Sequence, residues 1–148
     1  MFGQKLTEPA VQFHIHWGIW AWRVVREELE ICNQMFDEAM ALIEPLHDPG
    51  LRIEALFIGV LTSFYRGEFA KTVELCEQGF PLFDEETSKA HARHTGQNVG
   101  ATMQSYWALA LWHLGYPEQA IERSAKAVAL ARRIKHPFSL AYALCHAS

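Results

Sequence analysis

The chain has 148 residues, half of them hydrophobic and 20% charged, with a formal net charge of −4. That length makes one domain, large enough to bury a core without disulfides or a metal, and the composition is that of a folded chain. With 13 Lys and Arg against 17 Asp and Glu it lacks the dense basic face that phosphate backbones demand, so no nucleic-acid partner is expected.

Pro9 marks a turn before the first predicted helix, near 10–26, where Phe13, Trp17, Trp20 and Val24 form an apolar stripe at helical spacing. A second, near 28–45, carries Leu29, Cys32, Phe36, Ala39 and Ile43. His47-Asp48-Pro49-Gly50 marks a turn before a helix near 51–66 with Leu56, Val60 and Phe64. Gly67 precedes a helix near 68–83, with Phe69, Val73, Cys76 and Phe80. The stretch 84–97 reads as no single element. Asp84–Ser88 looks like a turn with an N-cap signal, and Lys89–His94 like a short helical turn. Helices near 98–114 (Met103, Trp107, Ala110, Leu114), 117–134 (Ala120, Ser124, Ala127, Leu130) and 137–147 complete the chain. Pro117 and Pro137 stand at helix starts, where a missing N–H costs nothing. No segment alternates as a strand does, so the expected class is all-α.

The apolar runs Ile15–Val25 and Leu56–Tyr65 fall short of the ~20 residues that cross a bilayer, and Met1–Ala10 has no basic-then-apolar leader. Cys32, Cys76 and Cys145 are sparse and form no CxxC pair. The expectation is a cytoplasmic protein with no membrane partner. Charge is uneven along the chain: residues 1–88 hold 15 acids and 6 bases, whereas 89–148 hold 2 acids and 7 bases. Such asymmetry could suit head-to-tail contacts or a charged partner, but the ordinary reading is the solvated faces of helices.

The helices pair. Phe64-Tyr65-Arg66-Gly67-Glu68-Phe69-Ala70-Lys71-Thr72 aligns with Trp112-His113-Leu114-Gly115-Tyr116-Pro117-Glu118-Gln119-Ala120, and more weakly with the stretch 24–32, where Glu27 replaces the glycine. Ala108, Gly115, Ala120 and Ala127 fall where small residues stand in the tetratricopeptide repeat, which this segment resembles. Residues 54–83 depart from that pattern at Val60, Thr72 and Gly79, and 14–43 at Trp20 and Cys32. The resemblance implies one α-α superhelix over 1–148: hairpins at 10–45, 51–83 and 98–134, then a terminal helix 137–147. A narrower similarity rests on Arg93–Gly100, Ala108–Ala120, Gly67-Glu68-Phe69 and His136–Ala141. It is to the C-terminal repeats of large bacterial regulators that join a class III adenylate/guanylate cyclase or winged-helix domain to a predicted P-loop ATPase. That likeness implies sensing or scaffolding, with the chemistry in domains absent from this sequence.

Catalytic signatures are missing. Gly96-Gln97-Asn98-Val99-Gly100 lacks the Lys-Ser/Thr of a phosphate loop, leaving at most a backbone nest for a small anion. His14 and His16 point to different sides of a helix; His91 and His94 share a face without completing a metal shell. Ser63, Ser105 and Ser139 sit in no GxSxG, and Asp84-Glu85-Glu86 reads as a solvated loop. A non-catalytic protein without cofactor or metal is expected.

The repeat register implies a concave groove lined by His14, Trp17, Glu54, Phe57, Leu61, Tyr65, Thr102, Ser105, Leu109, Trp112 and His113, with Ala21, Val25 and Phe64 beside them. An aromatic groove suits a protein or peptide segment. On that view Phe57→Ala and Trp112→Ala spare stability and abolish capture; the competing view makes Trp17, Phe57 and Trp112 core. A small-molecule pocket among the Trp and His side chains is the alternative function. The terminal helix has no Lys, Arg, Asp or Glu, and Phe138, Leu140, Ala141, Tyr142 and Leu144 make it a candidate for self-association, as in a homodimer.

Overall fold

The computed structural model describes residues 8–89 and 96–147. His91, His94 and most of the predicted turn Lys89–His94 lie outside them. Helices α1 (Pro9–Val24), α2 (Leu29–Ile43), α3 (Pro49–Tyr65), α4 (Phe69–Gly79), α5 (Val99–His113), α6 (Pro117–Ile134) and α7 (Pro137–His146) follow in order. Residues 85–89 are also helical, and no strand occurs among the described residues. The chain is all-α, and no helix is long and apolar enough to cross a membrane among the described residues. The predicted ends of two helices shorten. Pro45 and Pro81 cannot donate to an α-helical ladder, and the chain tightens into 3-10 turns at Glu44–Leu46 and Phe80–Leu82.

Side chains set the helix starts. Asp48 Oδ1 accepts from the Gly50 and Leu51 amides at 2.8 and 3.2 Å, opening α3. Asn98 Oδ1 accepts from the Ala101 amide at 3.1 Å, opening α5. Asp84 Oδ2 accepts from the Thr87 amide at 2.8 Å, as its N-cap signal suggests. Pro9, Pro117 and Pro137 occupy first turns, where their rings cost no hydrogen bond.

Three hairpins share one turn. Glu27, Gly67 and Gly115 all have positive φ, at 60°, 77° and 85°. In each case the next amide reaches back to close the preceding helix: Glu28 to the Arg23 carbonyl, Glu68 to Ser63, Tyr116 to Leu111. A left-handed residue is easiest for glycine, and Glu27 adopts the same geometry with a side chain. The sequence alignment at positions 27, 67 and 115 therefore coincides with a recurrent backbone shape.

Each helix packs on the next, and the odd-numbered helices also pack in succession, α1 on α3, α3 on α5 and α5 on α7. They form a row flanked by α2, α4 and α6. Small residues permit the close approaches. Ala108, Ala120 and Ala127 are buried between α5 and its neighbours, and a Cβ on Gly59 of α3 would lie 2.8 Å from the Phe36 ring of α2. The main core runs from Phe13, Trp17 and Trp20 through α3 to Leu111 and Ala120. A second cluster joins Ala101, Ala127, Leu130, Ala131, Ile134 and Ala143. Polar links stitch the layers: Trp20 Nε1 donates to Thr62 Oγ1 at 3.1 Å, and the Ser63 and Thr72 hydroxyls pair at 2.9 Å.

Candidate functional site

The expected groove divides along the row. Trp17, Glu54, Phe57, Leu61, Thr102 and Ser105 are buried. His14 and Leu109 are half-buried, and Tyr65, Trp112 and His113 are exposed. The buried group is core because α3 has neighbours on nearly every side: α1, α2, α4 and α5 all pack against it. Trp17 stacks on Phe57 at 5.6 Å with the rings 15° apart, and Trp20 meets Phe57 edge-on at 6.2 Å. Phe57 is 0% exposed, so for it and Trp17 the core alternative describes the molecule. Trp112, 60% exposed, stands in solvent.

An open groove of about 660 Å³ does exist, one helix further on, between α5, α6 and the end of α7. Leu109 and Trp112 form its α5 wall; Ile121, Ala125, Val128 and Arg132 come from α6. Its origin is a helix with two apolar faces. On α6, Ala120, Ala127, Leu130, Ala131 and Ile134 turn into the core. The series Ile121, Ala125, Val128 recurs at the same spacing on another face. That second stripe was legible in the sequence but hidden by the abundance of alanine, which suits either face. Ile121 is 66% exposed.

Beside the groove, hydroxyls link the odd-numbered helices. Tyr65 and Tyr106 pair at 2.8 Å, and Tyr142 donates to the Tyr106 hydroxyl. Burial raises the Tyr106 pKa beyond the ordinary range, and burial pushes Tyr142 up to about 12; both stay neutral at physiological pH. His146 stacks on Tyr142 at 4.1 Å, and His113 on Phe69 at 4.2 Å. Of the predicted self-association residues, Tyr142 is thus tied inward and Leu140 is half-buried in the second cluster, whereas Phe138, Ala141 and Leu144 are exposed.

A second hollow, about 520 Å³, lies at the start of α3 among Asp48, Glu54, Phe83, Asp84 and Ser88. Burial, with Asp48 nearby, raises the Glu54 pKa to about 8. The start of α5 is held by protein groups. Asn98 caps it, the Asn98 amide donates to Ser139 Oγ at 3.0 Å, and Asn98 Nδ2 donates to Ser88 Oγ at 2.7 Å.

The other chemical candidates have structural surroundings. His16 Nε2 donates to the Met35 carbonyl at 2.8 Å. Cys32 and Cys76 are buried, and burial raises both thiol pKa values, which suppresses the reactive thiolate; Cys145 is exposed. Among the described residues no three His, Cys, Asp or Glu side chains gather as a metal site. Neither a family model, a curated protein nor a solved structure matches this chain.

Proposed function

We propose that this chain is a non-catalytic helical-repeat module, similar to tetratricopeptide arrays, whose α5–α6–α7 groove receives the apolar face of a protein helix. One observation carries the reading: Trp112 and Ile121 stand exposed on either side of a groove lined by small α6 side chains. Large apolar groups rimming an open cleft are what helix recognition uses, and aromatic anchors lose little side-chain freedom on contact. The likeness to the terminal repeats of bacterial cyclase and ATPase regulators supports a cytoplasmic scaffold within or beside a signalling regulator.

The test is a photo-crosslinking residue in place of Ile121, with adducts mapped by mass spectrometry. The reading expects a polypeptide adduct on a helical segment with an apolar stripe, lost when Ala125→Arg fills the groove. Adducts confined to solvent or buffer would overturn it.

The hollow at the start of α3 favours a second reading, a small-molecule sensor. The Asp48 and Asp84 carboxylates suit a compact amine or guanidine rather than the Trp and His pocket expected from sequence. A panel of such cations should raise the melting temperature of the wild type and not of Asp84→Asn. No shift with any of them would remove this reading.

A further inference from the structure

We infer that the helix taken by the α5–α6–α7 groove is α1 of a second copy of this chain, so that the molecules join end to end. This rests on the groove reading and names its occupant.

The two ends of the row are chemically complementary. At one end α1 packs on α2 and α3, and Ile15, Ile19 and Trp22 remain exposed, Trp22 by 55%. Their spacing puts them on one face of the helix, opposite Phe13, Trp17 and Trp20 in the core. At the other end α7 packs on α5 and α6 and leaves Trp112, Ile121, Phe138 and Leu144 uncovered. The Ile15–Ile19–Trp22 ridge has the same i, i+4, i+7 spacing as Ile121–Ala125–Val128, which suits ridge-into-groove packing of two helices. Small side chains at Ala125 and Ala129 leave room for a bulky ridge.

Charge selects a second copy as the occupant. Residues 8–46, which carry the ridge, hold seven acids and two bases; residues 117–147, which carry most of the groove, hold five bases and two acids. Arg23 and Arg26 lie over the Trp22 ring and both pair with Glu28; at the other end Lys126 pairs with Glu122 and Arg133 with Glu85. An excess of acid thus remains at one end and an excess of base at the other. Arg132 lines the groove itself. Like ends repel and unlike ends attract, which disfavours a symmetric α7-to-α7 contact and favours head-to-tail joining. Such a contact is heterologous, so it closes into a ring or extends into a filament.

The experiment mixes two interface variants of the full chain. Ile19→Asp spoils the ridge and Ala125→Arg spoils the groove; both positions are exposed, and circular dichroism and melting temperature check that each variant folds. Sedimentation velocity should show wild-type assemblies that grow with concentration and shrink with salt, and each variant alone weakened about tenfold or more. An equimolar mixture should form a one-to-one dimer and nothing larger, because one intact ridge meets one intact groove. A wild type that stays monomeric, variants that still self-associate alone, or a mixture that stays monomeric would each overturn the inference. In those cases an Ile121 adduct on a different polypeptide leaves the groove reading standing, whereas absence of any polypeptide adduct removes both.

Discussion

Phe57 and Trp112 were expected on the same concave surface, yet one is sealed and the other stands in water. The difference is in the neighbours of their helices. Phe57 lies on α3, which is packed by two helices on each side along the chain, and Trp17 and Trp20 of α1 close over it. Trp112 lies at the end of α5, where α7 covers one part of α6 and leaves the other part uncovered. In a row of helices, register says which residues face the same way, but the count of flanking helices decides which of them meet solvent.

Four substitutions press on that contrast. Phe57→Ala should cost about 3–5 kcal/mol in denaturant unfolding, the usual loss for an aromatic core truncation; a cost near zero would return Phe57 to the open surface. Glu54 tests the closed region through its proton. Its folded pKa of about 8 exceeds the ordinary 4.5, so the folded state holds a proton that the unfolded chain releases. The contribution of Glu54 to stability is therefore full below about pH 4.5 and falls as pH rises toward 8. Glu54→Gln should flatten that slope and add about 2–4 kcal/mol at pH 8 relative to the wild type. A slope unchanged by the substitution would place the carboxylate in water. Gly59→Ala sets a methyl against the Phe36 ring and should destabilise by about 1–3 kcal/mol, with no effect on groove binding. Trp112→Ala should change stability by no more than about 0.5 kcal/mol, in thermal or denaturant unfolding, while abolishing association.

Much of the architecture was readable because its signals are local. The turn at Gly67 and Gly115 demands a left-handed residue, and glycine advertises it; Glu27 was recognisable only by alignment with the other two. Pro117 and Pro137 marked helix starts for the reason that they lack an N–H. The site was less readable. Nothing local in Glu54, Phe57 or Leu61 tells whether α1 will cover them, since that depends on contacts across more than thirty residues, such as Trp20 with Thr62. Gly59 escaped notice, and Gly100 was read only as part of a glycine-rich stretch, because their packing roles rest on which rings, Phe36 and Phe83, come to lie against them. Tyr106 was missed because its partners Tyr65 and Tyr142 sit on other helices.

The most direct test follows the five tryptophans by fluorine NMR after 5-fluorotryptophan labelling, over a dilution series of the whole chain. Signals from Trp22 and Trp112 should respond to solvent and move with protein concentration, while those of Trp17, Trp20 and Trp107 stay fixed. Concentration-dependent movement confined to Trp17 or Trp20, or none at Trp22 and Trp112, would contradict a sealed middle flanked by two mutually fitting ends.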